Sequence, residues 1–237
     1  MSTTEAALEN LRIIRSLMEK AHIYRAVSAP AALTGGLLAL AAAAWPVQHA
    51  LATQGANLMT TATLLDPLIA ILQGGNLMSP GTFLDLWIAI LLVASSLNVL
   101  LLAIEAKRRG QPFVSEGMRM ALRAFAPPML VGGCVGIGLI VFLHNLTLAA
   151  LIWVLCYGLA LLSTSGFSPR SLVRLGWAFV IAGLALFLVW AANSDVRLLS
   201  SDEAPASLVM GLTFGLLHVI YALAVFLTKK PAEVRPK

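Results

Sequence analysis

Charge is what this chain has least of. Asp, Glu, Lys and Arg together make up 11% of its 237 residues, while 59% are hydrophobic; an ordinary soluble domain carries about 25% charge. A water-soluble core of this size has no room for so much apolar surface, so the sequence reads as one integral membrane domain with no separate soluble domain. Cysteine is nearly as scarce. The two present, Cys134 and Cys156, both fall inside apolar runs, so neither a disulfide framework nor a metal cluster is indicated. Enzyme signatures are missing as well: there is no phosphate-binding Gly-rich loop with its Lys, no zinc-spaced pair of histidines on one helix and no nucleophile elbow. The expectation is a non-enzymatic protein with no metal and no cofactor. A cleavable leader is also not expected, because residues 1–26 are too charged and the first apolar run is long enough to stay as a span. The net charge of +5 does not argue for nucleic acid, since the basic residues flank apolar runs instead of alternating with aromatics. Lipid headgroups suit them better.

The apolar runs are what remains, and one of them orients the rest. Leu86–Ile104 is apolar almost throughout and ends in Glu105-Ala106-Lys107-Arg108-Arg109. As a helix it makes a rod of roughly 28 Å, close to one bilayer core, and the basic residues after it are retained in the cytoplasm. The same reasoning yields an all-α, polytopic bundle of six transmembrane helices, at about 27–45, 84–104, 127–143, 146–162, 175–192 and 207–228. An N-terminal amphipathic helix over 1–26 lies on the cytoplasmic surface, and 229–237 is a basic tail. With the N-terminus inside, 15 of the 16 Lys and Arg are cytoplasmic and only Arg197 is outside. Both termini are therefore expected in the cytoplasm. A second surface helix is expected over 115–126, with Pro127-Pro128 opening the third span. The loop holding Asp195, Asp202 and Glu203 is expected outside.

The N-terminal helix repeats Leu8, Leu11, Ile14 and Ala21 opposite Glu9, Arg12, Arg15 and Lys20, the pattern of a helix floating on headgroups or docking a partner. Between the first two spans, Gln54–Leu72 and Gln73–Leu91 form a tandem repeat, identical at 12 of 19 positions. The second copy runs into the organising span. The first has only about eight consecutive apolar residues and cannot span, so a short outer surface helix is expected, with a re-entrant loop as the sharper alternative.

Small residues mark close helix approach: Gly132-xxx-Gly136 in the third span and Gly211-xxx-Gly215 in the sixth. His218, on the face of Gly211 and Gly215, falls near mid-bilayer, and an ionisable group there is a functional candidate by default. The plainer reading is a neutral imidazole making one interhelical hydrogen bond. In the second span Ser95, Asn98 and Glu105 fall on one polar stripe, expected to face the bundle interior, with Glu105 near Arg119 and Arg123. Asn145-Leu146-Thr147 matches a glycosylation pattern but lies in a turn too short to accept a glycan. Ser165-Gly166 together with His218 is similar to the serine and histidine of rhomboid intramembrane proteases. The pair fails on geometry, because Ser165 ends its span and His218 lies on the order of 15 Å deeper.

Arg25-Ala26-Val27-Ser28-Ala29-Pro30, Tyr157-Gly158-Leu159-Ala160-Leu161-Leu162, and Phe167-Ser168-Pro169-Arg170 followed by Leu175-Gly176-Trp177-Ala178-Phe179 resemble segments of six-span bacterial inner-membrane proteins. That resemblance implies a multi-pass protein of the bacterial inner membrane and carries no activity or binding residues with it. Two functions follow as expectations. The first is a structural or regulatory membrane protein that meets lipid, a protein partner at its cytoplasmic face, or further copies of itself. The second is a small transporter or channel subunit using His218 and the Ser95, Asn98 and Glu105 stripe.

Overall fold

The computed structural model describes Glu5 and residues 7–14, 29–44, 80–108, 110, 116–193 and 203–228. Every regular element among them is helical. We number them α1 (7–14), α2 (Ala29–Ala44), α3 (Pro80–Arg108), α4 (Glu116–Leu143), α5 (Leu146–Ser163), α6 (Arg170–Asn193) and α7 (Glu203–Leu227). Helices α3 to α7 are each long and apolar enough to cross a bilayer, and α2 is a shorter apolar helix of about 24 Å at 1.5 Å per residue. Large apolar side chains such as Leu91, Leu130, Ile181 and Leu188 are exposed on their outer faces. In water such a surface would aggregate; in lipid it is solvated. The chain is a multi-pass helical membrane protein. Of the expected N-terminal surface helix only α1 and Glu5 are described, with Leu8, Leu11 and Ile14 exposed and Glu9 3.8 Å from Arg12. The first repeat copy, most of the start of the second, and the basic tail lie outside the described residues.

Helix ends follow from local chemistry. Pro80 opens α3, where a missing N–H costs nothing, and Lys107 and Arg108 close it, cations at the negative end of the helix dipole. Gly110 follows at φ 62°, its amide donating to the Lys107 carbonyl at 3.2 Å. Between α4 and α5, His144 takes φ 51°, and Asn145 Oδ1 accepts from the Leu148 amide at 2.8 Å. Asn145 is buried and its amide oxygen caps α5.

Three expectations about elements are corrected. Pro127-Pro128 does not open the third span: α4 runs from Glu116 through both prolines. Pro128 has no N–H to give the carbonyl of Ala124 four residues back, but the Ser163 hydroxyl of α5 lies 2.8 Å from that carbonyl. A neighbouring helix thus supplies the bond that the proline withholds. The same hydroxyl also lies 2.8 Å from its own Ala160 carbonyl, so it has two acceptors in reach. Glu203 is not in an outer loop; it is the first residue of α7 and is buried. It sits in the first turn beside Pro205, where an acid suits the helix dipole. Third, α7 is not a regular helix: Gly211–Leu217 is π-helical between the α-helical parts Glu203–Met210 and His218–Leu227.

The bundle is organised around α5, which packs along α4, α6 and the first part of α7. Glycines permit the approaches. A methyl on Gly132 would lie 2.5 Å from Cys156 Cβ, and one on Gly136 would enter the Trp153 indole. On the other side α2 lies against α7, where a methyl on Gly211 would meet Ala43 Cβ at 2.8 Å, and one on Gly215 would meet Leu40 at 2.8 Å. Gly36 of α2 comes closest to backbone, with its Cβ position 2.9 Å from the Gly215 carbonyl oxygen. Without a hydrophobic drive between helices, such close backbone contact is what holds them together.

Candidate functional site

The π-helical stretch delivers His218 to the interior. A π turn shifts hydrogen bonds from the i−4 to the i−5 carbonyl, so side chains must look after carbonyls that lose their usual donors. At the start of the stretch the buried Thr213 hydroxyl donates to the Val209 carbonyl at 2.7 Å. At its end the His218 amide turns to the Gly215 carbonyl, while His218 Nδ1 lies 2.9 Å from the Phe214 carbonyl. Both side chains thus take the carbonyl four residues back that a regular α-helix would give to their own amides.

The other imidazole nitrogen reaches across to α5, where Tyr157 Oη lies 2.9 Å from His218 Nε2. A carbonyl only accepts, so Nδ1 carries the proton toward Phe214. In the neutral ring Nε2 is then the acceptor, and the Tyr157 hydroxyl donates to it. Both nitrogens are engaged. The bond joins α5 to α7 near the middle of their lengths, and Tyr157 lies eight residues before Ser165, about 12 Å along the helix. Ser165 itself sits in the α5–α6 turn, its amide donating to the Leu162 carbonyl at 3.0 Å.

Aromatic rings close around this pair. His218 lies 5.3 Å from Phe179 of α6 and 6.1 Å from Phe214, nearly parallel to the latter at 15°. Tyr157 lies 4.8 Å from Phe179 and 5.0 Å from Phe214, and Phe125 of α4 meets it edge-on at 6.2 Å. Four helices therefore contribute to one ring cluster. Each such pair adds about 0.5–1.5 kcal/mol beyond the area it buries, and edge-to-face contacts fix ring orientation. The backbone of the site is held from behind by α2, since a methyl on Gly36 would lie 3.1 Å from His218 Cβ.

The structure separates the other candidate residues from this site. Ser95 and Asn98 do not face the bundle interior; both are exposed on α3. The inward face of α3 is set by Phe83 and Trp87, which are buried, and by Ala94, which meets Gly35 of α2. Ser95 lies one residue beyond Ala94, about 100° around the axis from it, and Asn98 four residues beyond, about 40° around and one turn further along the helix. Glu105 is half-buried near the C-terminal end of α3. The stripe and His218 thus do not form one site.

Tyr157, Phe179 and Phe214 are the site residues that sequence reasoning missed. A signal was present for the first: tyrosine in spans prefers the membrane interfaces, and Tyr157 is at mid-span. Glu203 was missed because the charge-rich stretch before it reads as loop. Among the described residues no group of three His, Cys, Asp or Glu is placed to hold a metal ion. No family model, curated protein or solved structure matches this chain, so its functional reading rests on the residues and their geometry.

Proposed function

We propose that the chain is a six-span protein of the bacterial inner membrane with both termini in the cytoplasm, and that it is a non-enzymatic structural or regulatory component. Its basic cytoplasmic segments, with an amphipathic helix over 1–26, meet lipid headgroups or a protein partner. The charge asymmetry of 15 to 1 supports the orientation. The observation that carries the functional reading is the engagement of both imidazole nitrogens, one on Phe214 of the same helix and one on Tyr157 of α5. A histidine so bound ties helices together. Reporter fusions at Lys237 and in the loop before Glu203 test the orientation, and an outward-reporting tail would refute it.

A second reading, a small transporter or channel subunit, is favoured by one observation: the π-helical interruption of α7 at the depth of His218, since transporters place broken helices around midplane sites. His218→Gln decides between the two. As a structural tie, the glutamine amide keeps one hydrogen bond, and both abundance and any deletion phenotype persist. For transport, the phenotype is lost while the folded protein stays at wild-type abundance.

A further inference from the structure

The exposed flank of α3 carries a pattern that its own bundle does not use. Of the five long helices α3 is the least buried. Ile88, Leu91, Ser95, Asn98 and Leu102 follow one another at alternating spacings of three and four, the seam of a left-handed helix pair. The first four are exposed and Leu102 is half-buried. Asn98 lies ten residues before Arg108, hence about 15 Å in from the basic end, half of a bilayer core of about 30 Å. At that depth lipid offers no hydrogen bond. Ser95 turns its hydroxyl back onto the Leu92 carbonyl at 3.2 Å, whereas the Asn98 amide has no hydrogen-bond partner among the described residues.

We propose that this seam is where a second copy of the chain docks, with the two α3 helices parallel about a two-fold axis along the membrane normal. Two copies share one orientation in the membrane, so Asn98 meets the Asn98 of the partner subunit at equal depth. A primary amide holds a donor and an acceptor, so the two side chains bond reciprocally. A different membrane protein would need its own polar group at that depth; a second copy has it by symmetry. Ser95 is small enough to let the helices approach, and a single buried Asn in an apolar seam selects a dimer in one register. Toward the cytoplasm Glu105 continues the spacing. The like-charge pair that symmetry creates there is set among Lys107 and Arg108 of both helices.

This inference is independent of the role of His218. Its test begins with Cys134 and Cys156 replaced by Ala and single cysteines introduced in native membranes. Mild oxidation should yield disulfide dimers with L91C and L102C and none with V93C or L100C, whose parent residues are exposed on the opposite flank. In liposomes, fluorescence energy transfer between labelled copies, followed as lipid dilutes the protein, reports the association constant. Asn98→Leu should weaken it about tenfold, the loss of one good interhelical hydrogen-bonded pair. Asn98→Gln should stay within about threefold. Because Asn98 is exposed and makes no hydrogen bond among the described residues, both variants should match the wild type in thermal stability when monomeric. Equal crosslinking on both flanks, unchanged association of Asn98→Leu, or crosslinks only to a different protein would each overturn the proposal.

Discussion

Removing one oxygen atom tests the reading of the ring cluster. Tyr157→Phe keeps the contacts of the ring with Phe179, Phe214 and Phe125 and deletes only the donor to His218 Nε2. No cavity follows, so the cost is that of the hydrogen bond. Interhelical bonds in membranes average about 0.6 kcal/mol and reach about 1.7, and an acceptor left unsatisfied inside protein adds toward the range of about 1–3. We expect a loss of about 1–2 kcal/mol. For a chain of this size 1 kcal/mol moves the midpoint by about 2–4 °C, so thermal unfolding in lipid nanodiscs should fall by roughly 2–8 °C. His218→Leu removes both bonds and should cost more. The deciding measurement is the double variant: with the imidazole gone, Tyr157→Phe should add almost nothing, a coupling of about 1 kcal/mol in the cycle. Simple additivity, or a midpoint unchanged by Tyr157→Phe, would refute the claim that this bond ties α5 to α7.

Two other perturbations address the scaffold. Ser163→Ala strands the Ala124 carbonyl beside Pro128 and should cost about 1 kcal/mol in thermal unfolding; in a Pro128→Ala background, where the amide is restored, the same change should cost much less. Gly36→Ala drives a methyl into the Gly215 carbonyl at 2.9 Å and should destabilise by about 1–3 kcal/mol, whereas Gly133→Ala, with nothing within 4 Å of its methyl, should be neutral or slightly stabilising from helix propensity alone. Equal midpoints for the two glycine variants would refute the close approach of α2 to α7.

The parts of the fold legible in the sequence were those set by run length and by turn chemistry. Helix α5 was expected over 146–162 and forms over Leu146–Ser163, because Asn145 before it is both a turn former and a cap. The prolines of α4 misled because a proline pair reads as a start, and only a hydroxyl from a helix distant in sequence lets the helix continue past it. The exposure of the α3 stripe was invisible for a similar reason: a polar stripe shows which residues share a face, but whether another helix covers that face at their level depends on packing between helices distant in sequence. That His218 lies inside the last long helix followed from counting residues. Its partners did not, since Tyr157 and Phe179 come from other helices and nothing in their spacing records the meeting. The π-helical stretch left no mark either, as Gly211 and Gly215 read equally well as packing residues, which they also are.

That stretch gives the site an unusual kind of control. A π turn amounts to one extra residue accommodated within an otherwise α-helical rod, and the angular cost of that residue is about 100°. Were Gly211–Leu217 to relax into regular α-helix with every residue kept, each later side chain would swing around the axis by about that amount. The imidazole would then leave the Tyr157 hydroxyl without any change to its own chemistry. Which wall of the bundle His218 addresses is thus set by the hydrogen-bond register of this stretch, and a change of that register in α7 would switch it as completely as a substitution would.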